Sequence, residues 1–271
     1  MTYYKDLYVY EISGLILGSR GSFTEDFLGC WNEGETSYLF FDKDHDPEVE
    51  ALAHQRGLRL VSKNVLDYAS WQGGKELKPF RVGTLLISPP WEPAVPQPGE
   101  TVILLDPCVV FGDGQHPTTR SCLSALLWIF QQDKPGTVLD LGTGTGILAL
   151  AAAKWGASRV LAIDQNELCV ETALRNVASN GESQRIEVKL GRAEDFVDVE
   201  ADLVCANIHL QIIEALLAMK GFYRKRWYVL SGIFAQDAEG IEQQLVQNSI
   251  TIVDKPQERN WVTLVGFRKT G

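Results

Sequence analysis

The chain has 271 residues and a formal net charge of −10, because 35 Asp and Glu residues outnumber 25 Lys and Arg residues. Its 45% hydrophobic and 22% charged residues are ordinary for a globular protein, which excludes a wholly disordered chain. The acidity argues against direct binding of nucleic acid, whose phosphates need a basic surface, and no apolar run is long enough to span a membrane. The N-terminus does not look like a secretory signal, so we expect a cytoplasmic protein.

The five cysteines and four histidines are scattered along the chain. They form no C-x-x-C pair and no other spacing typical of metal ligands, which disfavours a zinc site and a disulfide framework alike. We therefore expect free thiols and no bound metal.

Residues 1–70 form the first predicted unit and carry −6 of the net charge, with 12 acidic and 6 basic residues. The pattern predicts strands at 8–12, 38–41 and 58–65, and helices at 25–30 and 46–55. This order is typical of a small α/β sandwich with two helices on a sheet. The acidity has two interpretations: a solvated surface that maintains solubility, or a docking face for a basic polypeptide.

Residues 71–100 differ in composition, since they hold six of the eleven prolines around a β-like run at 82–88. Proline restricts φ and favours extended segments, so this stretch is predicted to be a structured connector rather than a flexible linker. We place the domain boundary here.

Strands and helices alternate from residue 101 to residue 271, which is typical of a parallel sheet covered on both faces. The predicted strands are 137–141, 159–163, 186–190, 203–206 and 227–231, and the predicted helices are 119–131, 147–155, 167–180, 210–220 and 235–247. Residues 250–254 and 261–267 are predicted to form a final hairpin. The order implies seven strands with an antiparallel end.

A glycine-rich turn lies between the first strand and helix of this unit, with the sequence DLGTGTG after a buried strand. Gly142 and Gly144 allow a sharp bend and the close approach of a ligand. The dinucleotide fingerprint would require a glycine at Ile147, and no P-loop motif occurs. The pattern therefore favours an S-adenosyl-L-methionine site, and the alternative is a tight turn without a ligand.

Two polar residues end neighbouring strands and are predicted to lie at the same sheet edge as this turn. Asp164 follows the second strand, where its carboxylate can accept both ribose hydroxyls, unless it merely caps the helix that begins near Glu167. Asn207 ends the fourth strand, where its amide can orient a polar substrate group or the methionine moiety, unless it only terminates the strand.

Several blocks of the sequence carry a family likeness: LDPCVVFGDGQHPTTRSCLSAL, VLDLGTGTGIL, RVLAIDQN, VCANI and VLSGI. Together with WQGGKELKPFRVGTLLISPPWEP before them, they resemble the PrmA family, lysine methyltransferases of large ribosomal subunit protein eleven. The likeness spans residues 68–268, and its F-G-x-G-x-H-P-T-T block is highly specific. The first 67 residues match only in size and in α/β character.

The resemblance implies an α/β fold: a class I S-adenosylmethionine-dependent methyltransferase with a Rossmann-like, seven-stranded sheet, preceded by a small ferredoxin-like α+β domain that recognises the substrate. It implies cofactor contacts at Thr119, Gly142, Asp164 and Asn207, to which the glycine-rich turn adds Gly144. We also expect Asn207 to be the catalytic residue, which orients the acceptor amine together with nearby backbone carbonyls. The expected partner is a basic ribosomal protein, and the expected state is a monomer.

The loop at 111–119 is expected to lie over the cofactor, with Thr118 or Thr119 capping the next helix. His116 could be a catalytic base, although His-Pro before a helix is more often structural.

Three positions depart from the family pattern. Cys108 replaces a glycine and Asp113 replaces a threonine, and the added negative charge of Asp113 would favour a cationic lysine. His209 follows Asn207-Ile208 where small apolar residues are usual, which leaves the exact acceptor open.

The expected activity is methyl transfer to lysine or α-amino nitrogen, with positioning and desolvation rather than a strong base driving the reaction. Two alternatives keep the same core: a methyltransferase of another protein lysine, and an idle module that binds a basic partner. A nicotinamide dehydrogenase is disfavoured by Ile147.

Overall fold

The computed structural model describes residues 4–17, 23, 26–71 and 76–269. Its strands form a four-stranded, a three-stranded and an eight-stranded sheet in chain order from the N-terminus. None of the helices in these ranges combines the length and apolar character that a bilayer crossing requires.

The first sheet has the order β2-β3-β1-β4, with every neighbouring pair antiparallel. Its elements are β1 (Asp6–Ser13), β2 (Phe27–Glu33), β3 (Thr36–Phe41), α1 (Asp46–Gln55), β4 (Arg59–Asp67) and the short α2 (Tyr68–Trp71). This strand order is that of the ferredoxin-like fold, as the resemblance implied.

The helix predicted at 25–30 is wrong, since residues 27–33 form β2 and Glu25 lies outside the described residues. The segment pairs along its length with β3, and a bulge between Phe27 and Gly29 interrupts the register. Long-range pairing of an aromatic, half-buried segment overrides its weak local helix preference. Between β1 and β4, the described part of the chain therefore contains one helix, α1, rather than the expected two.

The connector forms a three-stranded sheet of β5 (Phe80–Val82), β6 (Leu85–Ser88) and β7 (Thr101–Leu104), in that order. The single β-like run predicted at 82–88 is therefore a hairpin that turns at Gly83, whose φ is +54°. A Cβ at Gly83 would lie 2.3 Å from Leu127 Cδ2, so the turn and its packing both favour glycine. β7 pairs in parallel with β6, which extends this sheet past residue 100.

The large sheet has the order β10-β9-β8-β11-β12-β15-β13, with β14 paired to β15 beside this path. Its elements are α3 (Pro117–Gln132), β8 (Thr137–Leu141), α4 (Ile147–Trp155), β9 (Arg159–Asp164), α5 (Glu167–Ser179), β10 (Ile186–Leu190), β11 (Leu203–Asn207), α6 (Leu210–Leu217), β12 (Trp227–Phe234), α7 (Ala238–Gln247), β13 (Thr251–Asp254), β14 (Gln257–Glu258) and β15 (Trp261–Phe267). β15 runs antiparallel to both neighbours. The seven predicted strands are all present, and β14 is a two-residue addition.

Helices cover both faces of this sheet. One apolar core joins α3 and α4 to one face, and a second joins α6 and α7 to the other. The strands are therefore buried on both sides, which explains their nearly continuous apolar sequences. The chain order reverses between β8 and β11, so that a crevice opens at the carboxyl ends of these strands.

Candidate active site

The glycine-rich turn joins β8 to α4, and Gly142, Gly144 and Gly146 all have positive φ, at +74°, +54° and +84°. A Cβ at Gly142 would lie 2.1 Å from Ile208 Cγ2, and one at Gly144 would lie 2.5 Å from the carbonyl oxygen of Phe111. Neighbouring protein atoms therefore require these glycines, in addition to any ligand that approaches the turn.

A cavity of about 410 Å³ opens beside this turn, at the carboxyl edge of the sheet. It is lined by Phe111, His116, Thr118, Gly142, Gly144, Ile163, Asp164, Gln165, Asn166, Cys169, Gly191, Ala193, Glu194, Asn207, Ile208, His209, Ile212, Gly232 and Trp261. The turn, the second strand and the fourth strand thus converge on one pocket, as the sequence predicted. Its volume falls within the usual range for small-molecule sites.

Asp164 ends β9 and faces the turn, where its Oδ2 accepts the backbone N–H of Gly144 at 3.0 Å. Its Oδ1 accepts the N–H of Asn166 at 3.0 Å, and burial raises the pKa of this carboxyl. The side chain that caps α5 is Asn166, whose Oδ1 accepts the N–H of Leu168 at 2.9 Å. The alternative that Asp164 only caps this helix is therefore wrong.

Asn207 ends β11, lines the cavity and donates from Nδ2 to the hydroxyl of Thr119 at 3.4 Å. Thr119 is buried, with 1% of its surface exposed, and lies outside the cavity lining, whereas Thr118 lines the cavity. The geometry therefore gives Thr119 a contact to Asn207 and leaves Thr118 as the threonine that borders the pocket.

His116 caps α3, so the expectation that Thr118 or Thr119 caps this helix is wrong. Its Nδ1 accepts the backbone N–H of Thr118 at 3.4 Å and lies 2.8 Å from the Thr118 hydroxyl. Because Nδ1 is an acceptor here, the neutral ring carries its proton on Nε2. Burial lowers the pKa of His116, which favours the neutral form. The single acceptor nitrogen of that form is engaged by Thr118, which favours a structural role over that of a catalytic base.

Asp140 lies beneath the turn with 1% of its surface exposed. Its Oδ2 accepts the hydroxyl of Thr143 at 2.7 Å, while its buried Oδ1 has no hydrogen-bond partner among the described residues. Burial raises the pKa of this carboxyl to about 6. This carboxyl is held inside the protein beside the turn and is not part of the cavity lining.

Sequence reasoning missed several residues of the lining, among them Glu194, Cys169 and Trp261. Glu194 follows β10 and pairs with Arg192 at 2.8 Å, which lowers the pKa of its carboxyl. The ring of Trp261 lies 5.3 Å from that of His116 and stacks on Phe234 at 4.2 Å. Glu194 could have been predicted from its position just after the end of β10. Trp261 could not, because only tertiary packing brings it from the last strand to this edge.

The three departures from the family pattern have different surroundings. His209 is exposed at the cavity rim. Asp113 is buried and does not line the cavity. Its Oδ1 accepts the backbone N–H of Gln115 at 2.9 Å, and burial raises the pKa of the carboxyl. Cys108 adopts a φ of +49°, the left-handed conformation in which a glycine is unstrained.

The residues fit a positively charged, ribose-containing cofactor. Asp164 and Glu194 line the cavity, and none of the described lining residues is a lysine or arginine. Such a site suits a positively charged sulfonium compound. A diphosphate would instead need basic side chains to neutralise its charge. Within the described residues, no group of three His, Cys, Asp or Glu side chains has the geometry of a metal site.

A doubly wound sheet with seven strands in one path, this glycine-rich turn and a strand-end carboxylate has the fold of the class I methyltransferases. A crystal structure of a ribosomal protein L11 methylase from Lactobacillus delbrueckii subsp. bulgaricus matches it with a TM-score of 0.63 and 33% identity, over 71% of this chain and 100% of that chain. The fold class that the resemblance implied is therefore confirmed.

Family comparison is more specific. The family model described as ribosomal protein L11 methyltransferase (PrmA) matches residues 40–269, and the chain belongs to this family. A relative from Desulforamulus reducens with that name is 38% identical over 70% of this chain and 62% of its own length. Another from Clostridium perfringens is 31% identical over 98% of this chain and 84% of its own length. The chain thus spans about three fifths to four fifths of these curated relatives.

Proposed function

We propose that this chain transfers methyl groups from S-adenosyl-L-methionine to amine nitrogens, on lysine side chains or an α-amino group, of ribosomal protein L11. The observation that carries the proposal is family membership over residues 40–269, joined to a cavity with carboxylates and no basic residue in its described lining. The relatives' name supplies the substrate.

The cofactor contacts follow from the cavity. Gly142 and Gly144 would accommodate the amino-acid part, the carboxylate of Asp164 would accept the ribose hydroxyls, and Asn207 would contact the methionine part. Thr119 would act through its hydrogen bond with Asn207. When bound, the cofactor supplies an electrophilic methyl group on a positively charged sulfur.

The acceptor must be a neutral amine, whereas a free lysine, with a pKa of about 10.4, is charged at neutral pH. Entry into a desolvated cavity beside a positive charge lowers this pKa. Asn207 lines the cavity and can orient the amine through its side-chain oxygen, because its Nδ2 is already directed at Thr119. The acceptor nitrogen of His116 is engaged by Thr118, and we assign proton loss to water before attack. Positioning then supplies most of the rate enhancement.

The acidic N-terminal region suits a basic protein substrate, since residues 1–70 contain 12 acidic and 6 basic residues. We extend the proposal to a substrate-recognition domain at 1–70, a structured linker at 71–100 and a methyltransferase domain at 101–271. We also propose a cytoplasmic monomer that acts on protein rather than directly on nucleic acid, a setting that five free cysteines suit.

The test is incubation of the purified chain with methyl-labelled cofactor and the total ribosomal proteins, followed by mass spectrometry. We expect label on lysine or α-amino nitrogens of L11, and much less label with an Asp164→Asn variant at a cofactor concentration near the Kd of the wild type. Label on a different protein would overturn the named substrate while leaving the chemistry intact.

The non-catalytic alternative predicts no methyl transfer, whatever the substrate. A thermal shift separates the cases further, because cofactor at 100 times its Kd should add about 2.7 kcal/mol to the free energy of unfolding. A shift without any transfer would favour a binding module.

A further inference from the structure

A segment at residues 106–112, termed the interdomain strap, passes between the N-terminal sheet and the glycine-rich turn. It follows β7 and leads through Phe111 into the loop before α3. Cys108, Val109 and Val110 are buried in one apolar cluster with Leu7, Val9, Leu28, Phe40 and Tyr68 of the N-terminal region and Leu168 of α5. The strap is therefore the point at which the two regions meet.

On the side that faces the N-terminal sheet, two aromatic side chains of α2 donate hydrogen bonds to backbone carbonyls of the strap. The hydroxyl of Tyr68 donates to the carbonyl oxygen of Cys108, and the indole Nε1 of Trp71 donates to that of Val109 at 3.0 Å. The Cys108 thiol in turn donates to the carbonyl oxygen of Leu28 on β2 at 3.5 Å. These bonds join the strap to α2 and to β2, an edge strand of the N-terminal sheet.

On its other side, the same strap rests on the cofactor turn. The backbone N–H of Thr145 donates to the carbonyl oxygen of Phe111 at 3.2 Å, and the Thr145 hydroxyl donates to that of Gly112 at 2.7 Å. The ring of Phe111 lines the cavity and is 54% exposed. The carbonyls held by α2 thus lie two to four positions before those that contact the turn.

We propose that Tyr68 and Trp71 are positioning residues for cofactor binding, which act through the interdomain strap on Phe111 and on the turn at Gly144. The inference rests on the proposed function, because it assigns the cavity to S-adenosyl-L-methionine. Backbone carbonyls on an irregular segment have no sheet or helix partners to fix them, so side-chain donors determine their orientation. The N-terminal domain thereby shapes the cofactor site as well as recognising substrate.

The test compares three variants, Tyr68→Phe, Trp71→Phe and the double variant, which remove the donors but keep an aromatic ring. Matched controls are Tyr10→Phe, whose hydroxyl donates to Asp44 and Asp46 within the N-terminal region, and Trp31→Phe, whose indole is 38% exposed against 36% for Trp71. Each protein is titrated with cofactor by calorimetry, and amide hydrogen exchange of residues 105–119 is measured without cofactor. Melting temperatures are recorded for all.

We expect the double variant to bind the cofactor roughly three- to ten-fold more weakly, since each lost hydrogen bond contributes modestly. Exchange across residues 105–119 should rise in the same protein, and both controls should match wild type in these two measurements. A double variant that binds and exchanges like wild type would overturn the inference, as would an equal loss in the controls. Failure of wild type itself to bind would instead overturn the proposed function, and the inference with it.

Discussion

Asn207 and Thr119 stand 88 positions apart, and the amide of the first donates to the hydroxyl of the second at 3.4 Å. The contact joins the end of β11 to the first turn of α3. It makes Thr119 a residue that orients Asn207 from behind the cavity. The orientation of the Asn207 amide therefore depends on packing between a strand and a helix that are remote in sequence.

We expect Asn207→Ala to lower kcat about a hundred-fold, because misplacement of an acceptor in a direct displacement is costly. Thr119→Val keeps the shape of the side chain but removes the hydroxyl, and should lower kcat roughly two- to ten-fold. Single-turnover kinetics at saturating cofactor measure both. In an Asn207→Ala background the Thr119→Val effect should vanish, and a persistent effect would show that Thr119 acts independently of Asn207.

Substitution of Gly142 should lower the free energy of unfolding more than substitution of a glycine that has a similar φ but open space around it. Gly142→Ala would bring a Cβ to 2.1 Å from Ile208 Cγ2, whereas Gly181 has a φ of +68° and nothing within 4 Å of its Cβ position. Both variants incur about 1–2 kcal/mol of backbone strain, and Gly142→Ala should lose about 1–3 kcal/mol more through the clash. Denaturant unfolding checks the difference.

Removal of the clashing methyl group tests the cause. In an Ile208→Ala background, and relative to Ile208→Ala alone, Gly142→Ala should lose most of its excess destabilisation. The destabilisation by Gly181→Ala should be the same in this background as in the wild type. Equal losses in the two glycine variants would contradict a packing requirement at Gly142.

Asp164→Asn should weaken cofactor binding about ten- to a hundred-fold, since hydrogen bonds to a charged acceptor are worth about 1.5–3 kcal/mol. The carboxylate already accepts the N–H of Gly144, so the change also loosens the turn. Calorimetric titration measures the Kd, with exposed Glu200→Gln as the matched acid-to-amide control. A Kd within two-fold of wild type would exclude Asp164 from the cofactor site.

Asp140 should make the stability of the cofactor-free protein depend on pH. Burial raises its pKa from 3.8 to about 6, so the folded protein binds this proton more tightly than the unfolded chain. The contribution of Asp140 to stability is therefore most favourable at pH below 3.8 and declines as pH rises to about 6. Asp140→Asn removes this titrating group. The melting temperature of the variant minus that of the wild type should therefore rise between pH 4 and pH 7, as measured by scanning calorimetry. A difference that stays constant with pH would contradict the assignment.

Most of the large sheet was predictable, because buried parallel strands and their covering helices leave local apolar patterns that a reader can recognise without tertiary information. The residues at strand ends, Asp164 and Asn207, were predictable for the same reason, since parallel strands end at one edge. Prediction failed where local preference was weak. The segment at 27–33 became a strand through pairing with β3, and His116 rather than a threonine caps α3.

The doubly wound fold, the glycine-rich turn and its acidic and amide neighbours could all be inferred from local patterns, since each strand–turn–helix unit carries its own signal. Which atoms meet was settled only when these units packed together. Tertiary packing brought Trp261 and Glu194 to the cavity, placed Thr119 behind Asn207 and set residues 108–110 against the N-terminal sheet and α5. Such contacts join residues far apart in the chain, and no local pattern encodes them because packing selects partners by shape and distance.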